Sequence, residues 1–204
     1  MEVQFYGANC VKLVSKKTAI VIDDLDGKVT KDGDIALFTS ARHDKPSKDV
    51  RLTIDQPGEY EAANILIDGI AARAHMDEEG AHTATILKIT IGDIKIAIVG
   101  HIYPELTESQ VESIGMIDVL FIPVGGGGYT LDAVGAQEVI KAVEPNIIIP
   151  THYADKDVKY EVPQASLEDV LKNLGIEPAS RVQKLKLKDG EIPEVMQLIV
   201  LEHA

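Results

Sequence analysis

The sequence predicts a mixed α/β domain, with β-sheets covered by helices, on three observations. Short β-branched runs fill the first half of the chain. Strands and helices alternate in the second half. No tandem repeat, low-complexity tract or Ser/Gly-rich linker divides the 204 residues. At roughly 150 residues per domain, one domain over 1–204 is expected.

The elements follow in order. Val3–Tyr6, Val11–Val14, Ala19–Ile22, Ile35–Thr39, Val50–Ile54, Asn64–Ile67 and Thr83–Ile91 read as strands. Gly92-Asp93, between Lys88–Ile91 and Ile94–Val99, is a two-residue hairpin signal. Pro57-Gly58 has the composition of a type II turn. Thr107 and Gln110 form a capping box that opens a helix ending near Gly115. Ile117–Val124 is a near-continuous apolar strand, the pattern of a strand covered on both faces. Asp132 or Thr130 caps a helix to about Val143, stopped by Glu144-Pro145. Asn146–Pro150 is a second buried strand. Ser166 starts a third helix, which Gly175 ends. Arg181–Leu187 and Val195–Leu201 close the chain as strands, and Asp155–Gln164 is the longest expected loop.

Composition narrows the function. Twenty basic against 33 acidic residues leave a net charge of −13, which argues against nucleic acid and anionic membrane. A small-molecule ligand is the expected partner, and oligomeric state stays open. With 3 Phe, 6 Tyr and no Trp, aliphatic side chains must fill the core. The single Cys10 gives no disulfide framework and fits a reducing compartment. The segment Met1–Cys10 does not read as a signal peptide, and no apolar run approaches a membrane span, so a cytoplasmic location is expected.

Phosphate, nucleophile-elbow and C-x-x-C motifs are absent, and Gly125–Gly128 reads as a flexible strand-to-helix turn. The histidines are more informative. His43, His75, His101 and His152 each lie just beyond the end of an expected strand, where scaffolds present functional groups. Neutral imidazole suits zinc, and Asp23 and Asp24 end a strand as well. On spacing alone, without an H-x-H pair, solvated loop side chains are the simpler account.

Several segments in order resemble the metallo-β-lactamase superfamily, in particular its small ascorbate-phosphate-lactonase-like hydrolase branch. They are Phe5–Cys10, Ile20–Asp23, Pro57–Glu61 with Gly69-Ile70, Pro123–Gly126 with Thr130–Asp132, and Ile149-Pro-Thr-His-Tyr153. The resemblance implies a four-layer αβ/βα sandwich, between α+β and α/β in class, with metal bound at one edge between two sheets. The family's H-x-H-x-D-H motif falls on Ala41–Pro46, where only His43 is retained and Ala41, Lys45 and Pro46 replace ligands. His75 and His152 match ligand positions, and His101 replaces a bridging aspartate.

These departures work against a two-ion centre. Two cations about 3.5–4 Å apart need bridging carboxylates, and Lys45 adds a positive charge where a negative one belongs. At most one zinc, on His43, His75, His101 and His152, is expected, and zero is an alternative. With one ion, hydrolysis of a small ester, lactone or phosphoester follows, with Asp23 or Asp44 as proton acceptor. Without it, the chain is a non-catalytic domain of hydrolase descent that binds a ligand or partner in the same cleft.

Overall fold

The computed structural model describes residues 1–41 and 48–204. The chain begins with β1 (Glu2–Phe5), β2 (Val11–Ser15), β3 (Thr18–Ile22), β4 (Ile35–Leu37) and β5 (Leu52–Ile54). Next come β6 (Gly58–Ala62), β7 (Ile65–Ala72), β8 (Ala84–Ile91), β9 (Ile94–Ile98) and α1 (Glu108–Ile114). After them lie β10 (Val119–Pro123), α2 (Ala133–Val143), β11 (Ile147–Thr151) and α3 (Leu167–Leu174). The chain closes with β12 (Ser180–Val182), β13 (Leu185–Lys186) and β14 (Gln197–Leu201).

Two mixed sheets result. One has the order β13-β1-β2-β3-β4-β5, the other β12-β14-β11-β10-β9-β8-β7-β6. Val3, Val11, Leu13, Ile20, Ile22, Ile35 and Leu37 project from one face of the first sheet. They join Ile67, Ile86, Ile96 and Phe121 of the second in one apolar cluster. Every residue of β10 and β11 is buried, as their unbroken apolar runs require. The described helices lie on the eight-stranded side: α1 packs on β7, α2 on β10, and α3 on α2. Sheets and helices thus follow the expected sandwich, although the fourth layer is not built by a helix among the described residues.

Local chemistry explains the boundaries. Gln110 N–H donates to Thr107 Oγ1 and Thr107 N–H to Gln110 Oε1, completing the capping box of α1. Asp132, not Thr130, caps α2 by accepting from the Gly135 amide. Ser166 caps α3, and Gly175 ends it at φ +66°. Gly92-Asp93 turns β8 into β9, with Ile91 paired to Ile94.

Three expectations change. Gly58 opens β6 and pairs with Gly69, so Pro57-Gly58 is a strand entry and not a turn. The β6–β7 hairpin turns on Ala63 and Asn64, both at positive φ, a conformation that Ala rarely adopts and that its sequence does not announce. Arg181–Leu187 is not one strand: β12 pairs with β14 in one sheet, and β13 with β1 in the other. The chain crosses between sheets there. No described helix is long and apolar enough to cross a membrane.

Phe121, at the centre of β10, is 1% exposed and sits among the two sheets' aliphatic side chains. Phe121→Ala is expected to lower the unfolding free energy by about 3–5 kcal/mol, read from urea denaturation midpoints. A loss below about 1 kcal/mol would show that the sheets do not share this core.

Candidate metal centre at the sandwich edge

The strands β3, β4, β9, β10 and β11 deliver their C-terminal ends to one edge. β3 pairs in parallel with β4, and β9, β10 and β11 pair in parallel with one another. Asp23 follows β3, Thr39 follows β4, His101 follows β9, Gly125 follows β10, and His152 follows β11. The turn after β1 joins them: Tyr6 N–H donates to Cys10 O, and Cys10 N–H to Gly7 O, both at 2.8 Å. His152, in the left-handed region at φ +52°, donates its N–H to Ala8 O at 2.8 Å. Glycine is required beside it, because a Cβ on Gly125 would collide with the His152 carbonyl. Gly100, at φ +59°, likewise leaves no room between itself and the Thr39 side chain.

His101 and His152 come together, with ring centroids 4.5 Å apart and the planes at 86°. Tyr129 stands edge-on to His101 at 4.9 Å, and Tyr160 edge-on to His152 at 5.0 Å. His75 is tied to the pair through its backbone, its N–H donating to His101 O at 2.8 Å. Each imidazole has a different hydrogen-bond state. His152 Nδ1 lies 3.1 Å from Gln164 Oε1, which can only accept, so Nδ1 carries the proton and Nε2 keeps a lone pair. His101 Nε2 lies 3.2 Å from Asn9 Nδ2. The Nδ1 atoms of His75 and His101 are buried and have no partner among the described residues.

Neither carboxylate that ends β3 is a bare base. Asp23 accepts from Thr39 N–H at 2.8 Å and from Thr39 Oγ1 at 2.7 Å, clamping the end of β4 to the end of β3. Asp24 gathers the amides of Lys28, Val29 and Thr30 and the Thr30 hydroxyl, which shapes the loop beyond β3. Burial, with Asp24 and Asp23 nearby, pushes the Cys10 thiol far up, so it stays protonated and is no nucleophile. His43 and Asp44, expected as a ligand and a base, lie outside the described residues.

The cleft over this edge has a volume of about 800 Å³ and is walled by His101, Tyr129, His152 and the 157–164 loop. Asn9, Thr151, Gln164 and the two tyrosines were not among the expected site residues. Nor was a trio at the rim, Asp155, Asp157 and His203. It is the one His/Cys/Asp/Glu trio among the described residues whose donor atoms gather within 4.8 Å. In it His203 Nδ1 and Asp155 Oδ2 form a 2.7 Å pair that pins the chain's last residues to the loop after β11. A D-x-D spacing was the only sequence signal for it.

Burial holds His101 down to about 3, with His152 and His75 as lesser causes, and burial lowers His152 against the opposing hydrogen bond of Gln164. Unfolded, His101 takes up its proton near 6.5, whereas the folded chain takes it up only near 3. Between these values the unfolded state binds more protons, so this contribution is intact above about 6.5 and is lost as pH falls. His101→Gln is therefore expected to flatten the decline of the urea midpoint between pH 6.5 and 3 relative to the parent. Parallel pH profiles for the two proteins would contradict the neutral, buried assignment.

Known proteins share this frame. The family described as the beta-lactamase superfamily domain matches residues 2–152, from the start of β1 to His152. A crystal structure from Thermotoga maritima, named among Zn-dependent hydrolases of the metallo-β-lactamase superfamily, superposes with a TM-score of 0.80. It is 27% identical, and the match covers 98% of this chain and 97% of that one. A metallo hydrolase of Ignicoccus hospitalis matches with a TM-score of 0.61 at 14% identity, over 85% of this chain and 90% of that chain, a likeness of fold. A metal-dependent hydrolase of Thermoplasma acidophilum is 43% identical over 52 residues, which span 24% of this chain and 23% of that protein. With about three-quarters of its length inside the family's bounds, the chain belongs to the metallo-β-lactamase superfamily.

Proposed function

We propose that this chain is a hydrolase working with a single metal ion held by imidazoles at the sandwich edge, His101 and His152 first and His75 beside them. The observation that carries the reading is the His101–His152 ring pair, 4.5 Å between centroids, with a buried Nδ1 on His101 that has no partner among the described residues. Neutral imidazole fits zinc, and a three-ligand set leaves room for water in the coordination sphere. The ion, when bound, supplies an activated water and polarises the substrate carbonyl or phosphoryl oxygen.

The chain's own residues do the rest. Gln164 orients His152 through its Nδ1–H, a contact that raises the ring's basicity as a ligand. Tyr129 and Tyr160 wall the cleft beside the two rings and limit water around them. Asp23 fixes the strand ends through Thr39. A cleft of about 800 Å³ suits a small ester, lactone or phosphoester. An imidazole at 101 gives no bridging negative charge, so a second ion is disfavoured.

One observation favours a second reading, a non-catalytic domain that binds a small ligand or partner in the same cleft. The three imidazoles do not form a trio of donors within 4.8 Å among the described residues. Elemental analysis of protein purified without a metal-affinity step separates the two. About one zinc per chain is expected, with affinity falling about tenfold or more in His152→Ala. Chelator-sensitive hydrolysis of a lactone or phosphodiester should accompany it. No zinc uptake at all would leave the binding reading, and two tightly held ions would contradict both.

A further inference from the structure

His75 sits in a segment that has no apolar anchor of its own. Ala72 and Ala84, paired across β7 and β8, are buried, yet no residue of 73–83 between them is, and Met76 beside His75 is exposed. A segment without buried side chains opens easily unless polar contacts close it. Here those contacts converge on Asp77. Its Oδ2 accepts from the amides of Ala74 at 2.9 Å and Thr83 at 3.0 Å, and its Oδ1 accepts from Thr83 Oγ1 at 2.8 Å. Its own N–H donates to Ala74 O at 3.0 Å, so this one residue holds both polar backbone groups of Ala74, with His75 and Met76 looped between. Its carbonyl accepts from Arg73 Nε at 3.0 Å and Nη2 at 2.8 Å. That guanidinium lies 3.9 Å over the Tyr103 ring, whose centroid is 6.3 Å from that of His75. Tyr103 N–H donates to Arg73 O and His75 N–H to His101 O, both at 2.8 Å, which stitches the segment to the chain beyond β9. Every one of these directions is fixed, because amides and guanidinium only donate and carboxylate and carbonyl only accept.

We propose that Asp77 is a positioning residue that clasps the 73–83 segment shut and so places His75 beside His101. The role is one of geometry and not of charge. What the Ala74 and Thr83 amides need is an acceptor oxygen at the Oδ2 position. Asparagine supplies that oxygen, and its amide nitrogen can donate to the Thr83 hydroxyl, which accepts as readily as it donates. Alanine supplies neither. The clasp stands on these contacts alone, whereas its consequence for metal rests on the one-ion reading above, in which His75 is a ligand.

Amide hydrogen exchange on the metal-free chain reads the clasp. In Asp77→Ala the Ala74, His75 and Thr83 amides should exchange about tenfold faster or more, with the amides of β10 unchanged. In Asp77→Asn they should keep the parent's rates. Thr83→Val removes the hydroxyl contact alone and should speed the same amides by a smaller factor, which keeps the test available where Asp77→Ala does not fold. Unchanged exchange at His75 in both Asp77→Ala and Thr83→Val, or protection lost in Asp77→Asn as well, would overturn the proposal. Zinc titration of the same proteins reads the consequence. Asp77→Ala should weaken binding about tenfold or more, Asp77→Asn should stay near the parent, and Asp77→Ala should cost nothing further in a chain that already carries His75→Ala. A loss of equal size in both backgrounds would mean that Asp77 acts other than through His75 and would overturn the positioning role. Zinc affinity unmoved by His75→Ala would overturn His75 as a ligand, and the exchange rates would still decide the clasp.

Discussion

The hydrogen bond from His152 N–H to Ala8 O is the contact on which the site depends. It joins the end of β11, in the eight-stranded sheet, to the turn that follows β1, in the six-stranded sheet. Both residues take left-handed backbone, at φ +52° and +47°, an arrangement that costs about 1–3 kcal/mol each and persists only where the surroundings enforce it. The surroundings here are Gly125, packed against the His152 carbonyl, and the tight turn closed by Cys10 and Gly7. Because the backbone is fixed in this way, the His152 ring is aimed at His101 and at Gln164, and Asn9 is drawn in between Thr151 and His101.

Electrostatics then decide what the edge can hold. Two buried rings in edge contact cannot both be charged, and burial drives both toward the neutral form, the one that ligates metals. Asp23 and Asp24 are the nearest acids of the strand ends, and their oxygens are taken up by backbone amides and threonine hydroxyls. What remains is a set of imidazole donors whose neighbouring strand-end carboxylates are already held by other donors. Such a set, with no carboxylate to bridge two cations, favours one ion over two.

The fold was legible wherever local chemistry determines it. Helix caps at Thr107, Asp132 and Ser166, the Gly92-Asp93 hairpin and the buried runs of β10 and β11 all carry signals within a few residues. The β6–β7 turn was not, since Ala63 adopts positive φ only because the paired strands force it. The division of 181–187 between two sheets was also hidden, because β propensity does not say which sheet a strand joins. At the site, His75, His101 and His152 were legible as strand-end histidines. Asn9 and Gln164 were not, as their roles arise from partners elsewhere: Asn9 meets residues 92 and 142 positions away. The Asp155–His203 pair spans 48 positions and was invisible for the same reason.

Anomalous diffraction at the zinc edge, from crystals grown with zinc, tests the one-ion imidazole centre most directly. One peak between the His101 and His152 rings is expected, with Gln164 still on His152 Nδ1. Two peaks at the edge, or a peak only at Asp155, Asp157 and His203, would contradict it.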